Sequence, residues 1–162
     1  MSVLLLADHD LGALSPATAR LVSAAARLGP VDMLVVAENP GPIATAAATL
    51  SGVRKVLAIQ AETTAEALTN TLERYAQGYQ CVSASASSVG KDVIPRLAAK
   101  LDIMPVTDIV AIEAPNRFVR PIYAGNALET LTDPQPQHLL TFRASAFRPA
   151  AGGNDAPIEV VE

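Results

Sequence analysis

Four groups of residues have types and spacings that could do chemistry. The first is Gly90-Lys91, read as the junction between a strand and a helix. Backbone N–H groups and a helix N-terminus at such a junction attract phosphate. A phosphate loop also needs glycine five residues before Gly90, where Ser85 stands, and Ser or Thr after the lysine, where Asp92 stands. Asp92 would repel phosphate, so an ATPase is excluded. Asp92 is expected instead to cap a helix, with Pro95 in its first turn. Ser83, Ser85, Ser87 and Ser88 either line the carboxyl end of the strand, where open α/β sheets place ligands, or close a tight turn.

The second group is Asp8-His9-Asp10, at the carboxyl end of the first strand pattern. A metal would need more ligands, and the only other histidine, His138, lies beside a distant turn. A solvated loop is the expected reading. No G-x-S-x-G elbow and no G-x-G-x-x-G fingerprint occurs. The third is Cys81, which has no partner cysteine and sits in an apolar strand pattern, as a buried inert thiol would. The fourth is Arg96, Arg117 and Arg120. Arg120 and Tyr123 flank Pro121, and proline belongs at a strand's edge or bend. Arg and Tyr there suit a protein interface, and they equally suit a free edge protected by charge and proline.

Composition narrows the classes. Half of the residues are hydrophobic and only 17% are charged, which excludes a disordered chain. A net charge of −4 without any basic run excludes nucleic-acid and anionic-membrane partners. A lone cysteine suits a reducing compartment. Neither a basic leader followed by an apolar core nor an apolar run of membrane-spanning length is present. The expectation is a cytoplasmic bacterial protein with no direct membrane insertion.

Strand and helix patterns alternate through the first hundred residues. Val3-Leu4-Leu5-Leu6-Ala7 is a continuous apolar run, as in a strand buried on both faces. Ser15-Pro16 opens a helix to about residue 28, and Gly29-Pro30 stops it. Strands are expected at 31–37, 55–59 and 80–84, with helices to about residue 50, at 64–76 and at 93–101. The alternation implies right-handed βαβ units in a three-layer α/β fold, a mostly parallel sheet flanked by helices. Beyond Asp102 only strand patterns occur, at 106–112, 118–123, 127–132 and 139–142. The last two flank Asp133-Pro134-Gln135-Pro136 and are expected to form an antiparallel hairpin. Residues 1–147 therefore read as one α/β domain with added antiparallel structure. Residues 148–162 have linker composition, with 158–161 expected to fray.

The stretch SSVGKDVIPRLAAKLDIMPVTDIVAIEAPNRFVRPIYAGNA, residues 87–127, resembles the N-terminal domain of the electron transfer flavoprotein α subunit. The opening MSVLLLADHDLGALSPATARLVSAAARLG resembles the same family's first strand and helix. The resemblance covers nearly the whole chain but only about half of that subunit. It implies an adenine-nucleotide α-hydrolase-like or Rossmann-like fold, and a scaffold that packs against a β subunit and under the subunit's own C-terminal FAD domain. The complex would carry electrons from dehydrogenases to a quinone oxidoreductase or another acceptor. AMP would belong to the β subunit, whose Asp-rich motif the segment Gly90-Lys91-Asp92-Val93-Ile94-Pro95-Arg96 lacks. No flavin contact carries over, so neither FAD nor catalytic or metal-binding residues are expected in this chain. The resemblance tips Arg96, Arg117, Arg120, Tyr123 and Asn126 toward a partner interface, which could also drive self-association. The alternatives are a free-standing adenine-nucleotide-binding module, with loops after Ala7 and Ala84, and a hydrolase or transferase using Asp8, His9 and Ser87.

Overall fold

In a computed structural model describing residues 1–161, the first half follows the alternation read from the sequence. Strand β1 (Val3–Leu6) leads through two short strands, β2 (His9–Asp10) and β3 (Ala13–Leu14), into helix α1 (Ala17–Ala26). Then follow β4 (Val31–Ala37), α2 (Pro40–Ala48), β5 (Val53–Gln60), α3 (Ala65–Ala76), β6 (Cys81–Ser85) and α4 (Ser88–Leu101). The last third contains β7 (Val106–Ile109), β8 (Ala111–Ala114), β9 (Arg117–Ile122), β10 (Ala127–Thr132), β11 (His138–Phe142) and β12 (Ile158–Val161).

Seven strands form one sheet in the order β12-β5-β4-β1-β6-β11-β7, with every pairing parallel. The apolar runs are explained by burial on both faces. Along β1, Val3 and Leu5 join the core layer containing α1 and α2, whereas Leu4 and Leu6 join the layer containing α3 and α4. A separate antiparallel sheet, β10-β9-β8, stands beside β7, and the Val110 N–H donates to the Val119 carbonyl at 2.8 Å.

Several expectations are corrected. Strands β10 and β11 do not form a hairpin: β10 pairs with β9, while β11 enters the main sheet between β6 and β7. All five residues of β11 are buried, and burial of both faces is available only inside the main sheet. The pattern at 106–112 is two strands separated at Val110, and within the first of them Asp108 takes a left-handed φ of 60°. Arg143 holds that kink through a bidentate pair, Nε to Oδ1 at 2.9 Å and Nη2 to Oδ2 at 2.5 Å.

Residues 158–161 do not fray. They pair with β5, and Asn154 Nδ2 donates to the carbonyls of Leu50 and Val53 at 2.9 and 2.8 Å. Backbone bonds from Ala150 to Ala19 and from Ala156 to Ala48 hold the intervening chain against the two-helix layer. Its Gly- and Pro-rich composition reflects an irregular path, not a free one. Helix α4 also starts earlier than expected: Asp92 lies inside it, and Ser87 is its cap.

Candidate functional site

Two surfaces bring together the residues singled out above. The first is the carboxyl end of the main sheet. There Thr18, fully buried on α1, clamps the Asp8 backbone: its Oγ1 donates to the Asp8 carbonyl at 2.7 Å and accepts from the Asp8 N–H at 3.2 Å. The clamp turns the chain into the β2–β3 hairpin. His9 Nε2 donates to the Val36 carbonyl at 2.8 Å, tying the hairpin to β4. Because a carbonyl can only accept, Nε2 carries the proton. Partial burial raises the Asp8 carboxyl above its ordinary range, His9 works against that, and Asp10 adds to it.

These groups make a corner, not a metal centre. Among the described residues no group of three His, Cys, Asp or Glu side chains is placed to hold a metal ion. The serines disperse. Ser83 is buried and donates to the Leu4 carbonyl at 3.3 Å, Ser85 is buried, and only Ser88 is exposed. Ser87 Oγ is buried without a hydrogen-bond partner.

Gly90 lies in the first turn of α4, and a Cβ there would meet the Ser85 carbonyl oxygen at 1.7 Å. Only Ala86 and Ser87 separate β6 from α4, too few to wrap a phosphate. Among the described residues no Lys or Arg lines the hollows at this end of the sheet, whereas Asp8, Asp10, Glu38 and Asp92 do. A phosphate of AMP or the diphosphate of FAD would therefore face carboxylates, and these residues fit neither group.

Cys81 and His138 are register partners on β6 and β11. His138 Nδ1 lies 2.6 Å from Asp133 Oδ2. The order Cys-His-Asp resembles catalytic machinery, but all three side chains are buried. Burial, reinforced by the Asp133 charge, pushes the Cys81 thiol up, and that burial is what the apolar strand pattern implied. His138 also packs edge-on against Phe118 of the smaller sheet. The chemistry there is structural.

The second surface is the projecting end of β9 and β10. Residues 123–126 link these strands, with φ values of 52°, 51° and 85° at Tyr123, Ala124 and Gly125. A left-handed tyrosine is unusual and marks local strain. The loop is held by Asn126, whose N–H and Nδ2 both donate to the Tyr123 carbonyl at 3.0 Å. Tyr123 is 81% exposed and Leu128 68%, and Ile122 lies beside them.

Pro121 is tolerated for a definite reason. Val119 directs its backbone toward β8, so Pro121, two residues on, faces the same side, where β8 has already ended. Arg120 pairs with Glu129 across the β9–β10 ladder at 2.7 Å, and Arg117 with Glu113 at 3.0 Å. Both cations are neutralised locally, which leaves the tip apolar.

Of the five expected interface residues, Arg117, Arg120, Tyr123 and Asn126 thus share one ribbon. Arg96 does not. It lies on α4, bound to Asp92 at 2.8 Å and to Glu66 of α3 at 3.2 Å, where it ties two helices together. Ile122 and Leu128, exposed beside Tyr123, carry no distinguishing signal in the sequence, where single apolar residues in a strand pattern are ordinary.

The fold and these surfaces define a class: an open parallel α/β domain of nucleotide-binding architecture whose phosphate position is closed and whose smaller sheet projects an apolar ribbon. The electron transfer flavoprotein domain family matches residues 3–162. The chain belongs to that family and corresponds to the N-terminal domain of its α subunit. It is 42% identical to the electron transfer flavoprotein subunit alpha of Bradyrhizobium diazoefficiens, over 100% of this chain and 53% of that protein. Identities are 37% to the subunit of Paracoccus denitrificans (98% of this chain, 53% of that protein) and 36% to that of Pseudomonas aeruginosa (99% and 54%). The chain spans about half the length of the curated relatives it matches.

Proposed function

We propose that this domain is the scaffold and partner-binding part of an electron transfer flavoprotein α subunit, with the β9–β10 tip as its contact with the β subunit. The observation that carries the proposal is the strained, exposed Tyr123 set beside Ile122 and Leu128 on a ribbon whose charges are already paired. Such a surface loses little on desolvation and gains from burial of an aromatic anchor. Arg117, Arg120 and Asn126 hold the ribbon's shape around that anchor. Residues 148–162 lead toward the FAD-bearing remainder of the subunit, and β12 anchors that connection to the sheet.

In this role the chain holds neither FAD nor AMP and performs no redox step. The assembled cytoplasmic complex, with FAD in the C-terminal domain and AMP in the β subunit, passes electrons from dehydrogenases to a quinone oxidoreductase or another acceptor. No helix among the described residues is long and apolar enough to cross a membrane. The test is co-purification of tagged β subunit with this chain, wild type and Tyr123→Ala/Leu128→Glu. Loss of β subunit from the double variant, with an unchanged far-UV spectrum, is expected. Equal recovery of β subunit, or a chain that purifies with stoichiometric flavin, would sink the proposal.

A further inference from the structure

Because the strands of the main sheet run in one direction, the chain segments after β1, β4, β5 and β6 converge on one end. Three adjoining hollows of about 360, 100 and 240 Å³ lie in a row there, with Thr63 common to all three. They extend from the β2–β3 hairpin to the start of α4. The buried Ile43, Leu6, Val36 and Leu68 floor them, and Leu11 and the half-exposed Val89 supply the exposed apolar surface.

The charge lining this row is negative at Asp8, Asp10, Glu38 and Asp92, and at the far end Arg96 pairs with Asp92 and the exposed Lys91 adjoins it. Asp10 and Glu38 line the largest hollow, and Glu62 immediately precedes Thr63. All three are exposed, and none forms an ion pair among the described residues, unlike Asp32, Glu66, Glu73, Asp92, Asp108, Glu113, Glu129, Asp133 and Glu159. Of the carboxylates without an ion pair among the described residues, Asp8, Asp10, Glu38 and Glu62 lie at this groove, and Asp102 and Asp155 lie elsewhere.

We propose that this groove docks an extended segment of a protein partner that places Arg or Lys side chains between apolar ones. Arg and Lys match it twice: their aliphatic stems cover apolar surface while their heads reach the carboxylates. Three shallow hollows in a row suit successive side chains of an extended segment better than one compact ligand, which needs a single enclosing pocket. The groove is built from other elements than the β9–β10 ribbon, so this proposal stands apart from the β-subunit contact.

The test is fluorescence anisotropy of the 162-residue chain with a short labelled peptide of alternating arginine and leucine, with arginine–glycine and glutamate–leucine peptides as controls. The crest variant is Asp10→Asn/Glu38→Gln/Glu62→Gln. The charge-matched control is Glu73→Gln/Asp155→Asn/Glu159→Gln. The expected result is binding of the arginine–leucine peptide that weakens about tenfold in the crest variant and less than twofold in the control. Equal weakening in both variants would reduce the effect to net charge and overturn the proposal. So would equal affinity for the arginine–glycine peptide, complete displacement by spermine at equimolar concentration, or no binding at all.

Discussion

Gly90 of α4 and Ser85 of β6 approach so closely that a Cβ on the glycine would lie 1.7 Å from the serine carbonyl oxygen. The contact is with backbone, so nothing flexible can yield. Gly90→Ala should cost about 3 kcal/mol, because helix and strand must separate to admit the methyl group. Lys91→Ala should stay within about 0.5 kcal/mol, since Lys91 is exposed. Urea denaturation of the two variants separates a packing glycine from a phosphate-loop glycine.

Asp32 is buried on β4 and takes three charge-assisted or hydroxyl bonds: from Arg54 Nε and Nη2 at 2.7 Å each, and from the Tyr79 hydroxyl at 2.6 Å. Burial by itself would raise the carboxyl, but the bonds from Arg54 and Tyr79 outweigh it and hold Asp32 below its ordinary range. Arg54 is about half exposed, so its share is discounted for solvent screening. Tyr79→Phe should cost about 1 kcal/mol and Asp32→Asn about 1–2 kcal/mol at neutral pH. A depressed carboxyl stabilises above its unfolded pKa of about 4 and ceases to as pH falls through the folded value. The gap between wild type and Asp32→Asn should therefore narrow below pH ~4 in denaturation curves.

Asp133 and His138 join the two sheets. Burial raises the Asp133 carboxyl, but bonds from His138 and from the Gln135 side chain and backbone more than offset that, leaving it lowered. Gln135 in turn grips Met104, accepting from its N–H at 2.8 Å and donating to its carbonyl at 2.9 Å. His138→Ala removes one of these bonds and the Phe118 contact, at a cost of about 2–3 kcal/mol at pH 7. As with Asp32, the sign requires the deficit to shrink on acidification below pH ~4, where wild-type Asp133 also loses its advantage. An equal deficit at pH 7 and pH 3 would show that Asp133 is not the group involved.

Tyr123→Gly should move two properties in opposite directions. Relief of the left-handed tyrosine should raise the stability of the isolated chain by about 0.5 kcal/mol, allowing for the entropy of glycine. If Tyr123 anchors the β subunit, affinity should fall at least tenfold in the same variant, read by titration calorimetry. A variant that is both more stable and equally tight would remove Tyr123 from the interface.

The order of strands and helices through residue 101 was legible because each element must bury its faces, and that requirement writes a period into the local sequence. The failed phosphate loop was legible too, since Ser85 and Asp92 sit where that chemistry demands other residues. The burial of Cys81 followed from the apolar run around it. Tertiary structure alone decided the rest. Whether residues 138–142 turn back on β10 or cross to β6 depends on which surface can bury both of their faces, and no local pattern encodes that choice. The linker-like residues before β12 are held by backbone bonds to α1 and α2, so their composition said nothing about their partners. The grouping of Arg117, Arg120, Tyr123 and Asn126 on one ribbon, and the place of Arg96 on α4 away from it, came from chain crossings that bring distant residues together or keep them apart.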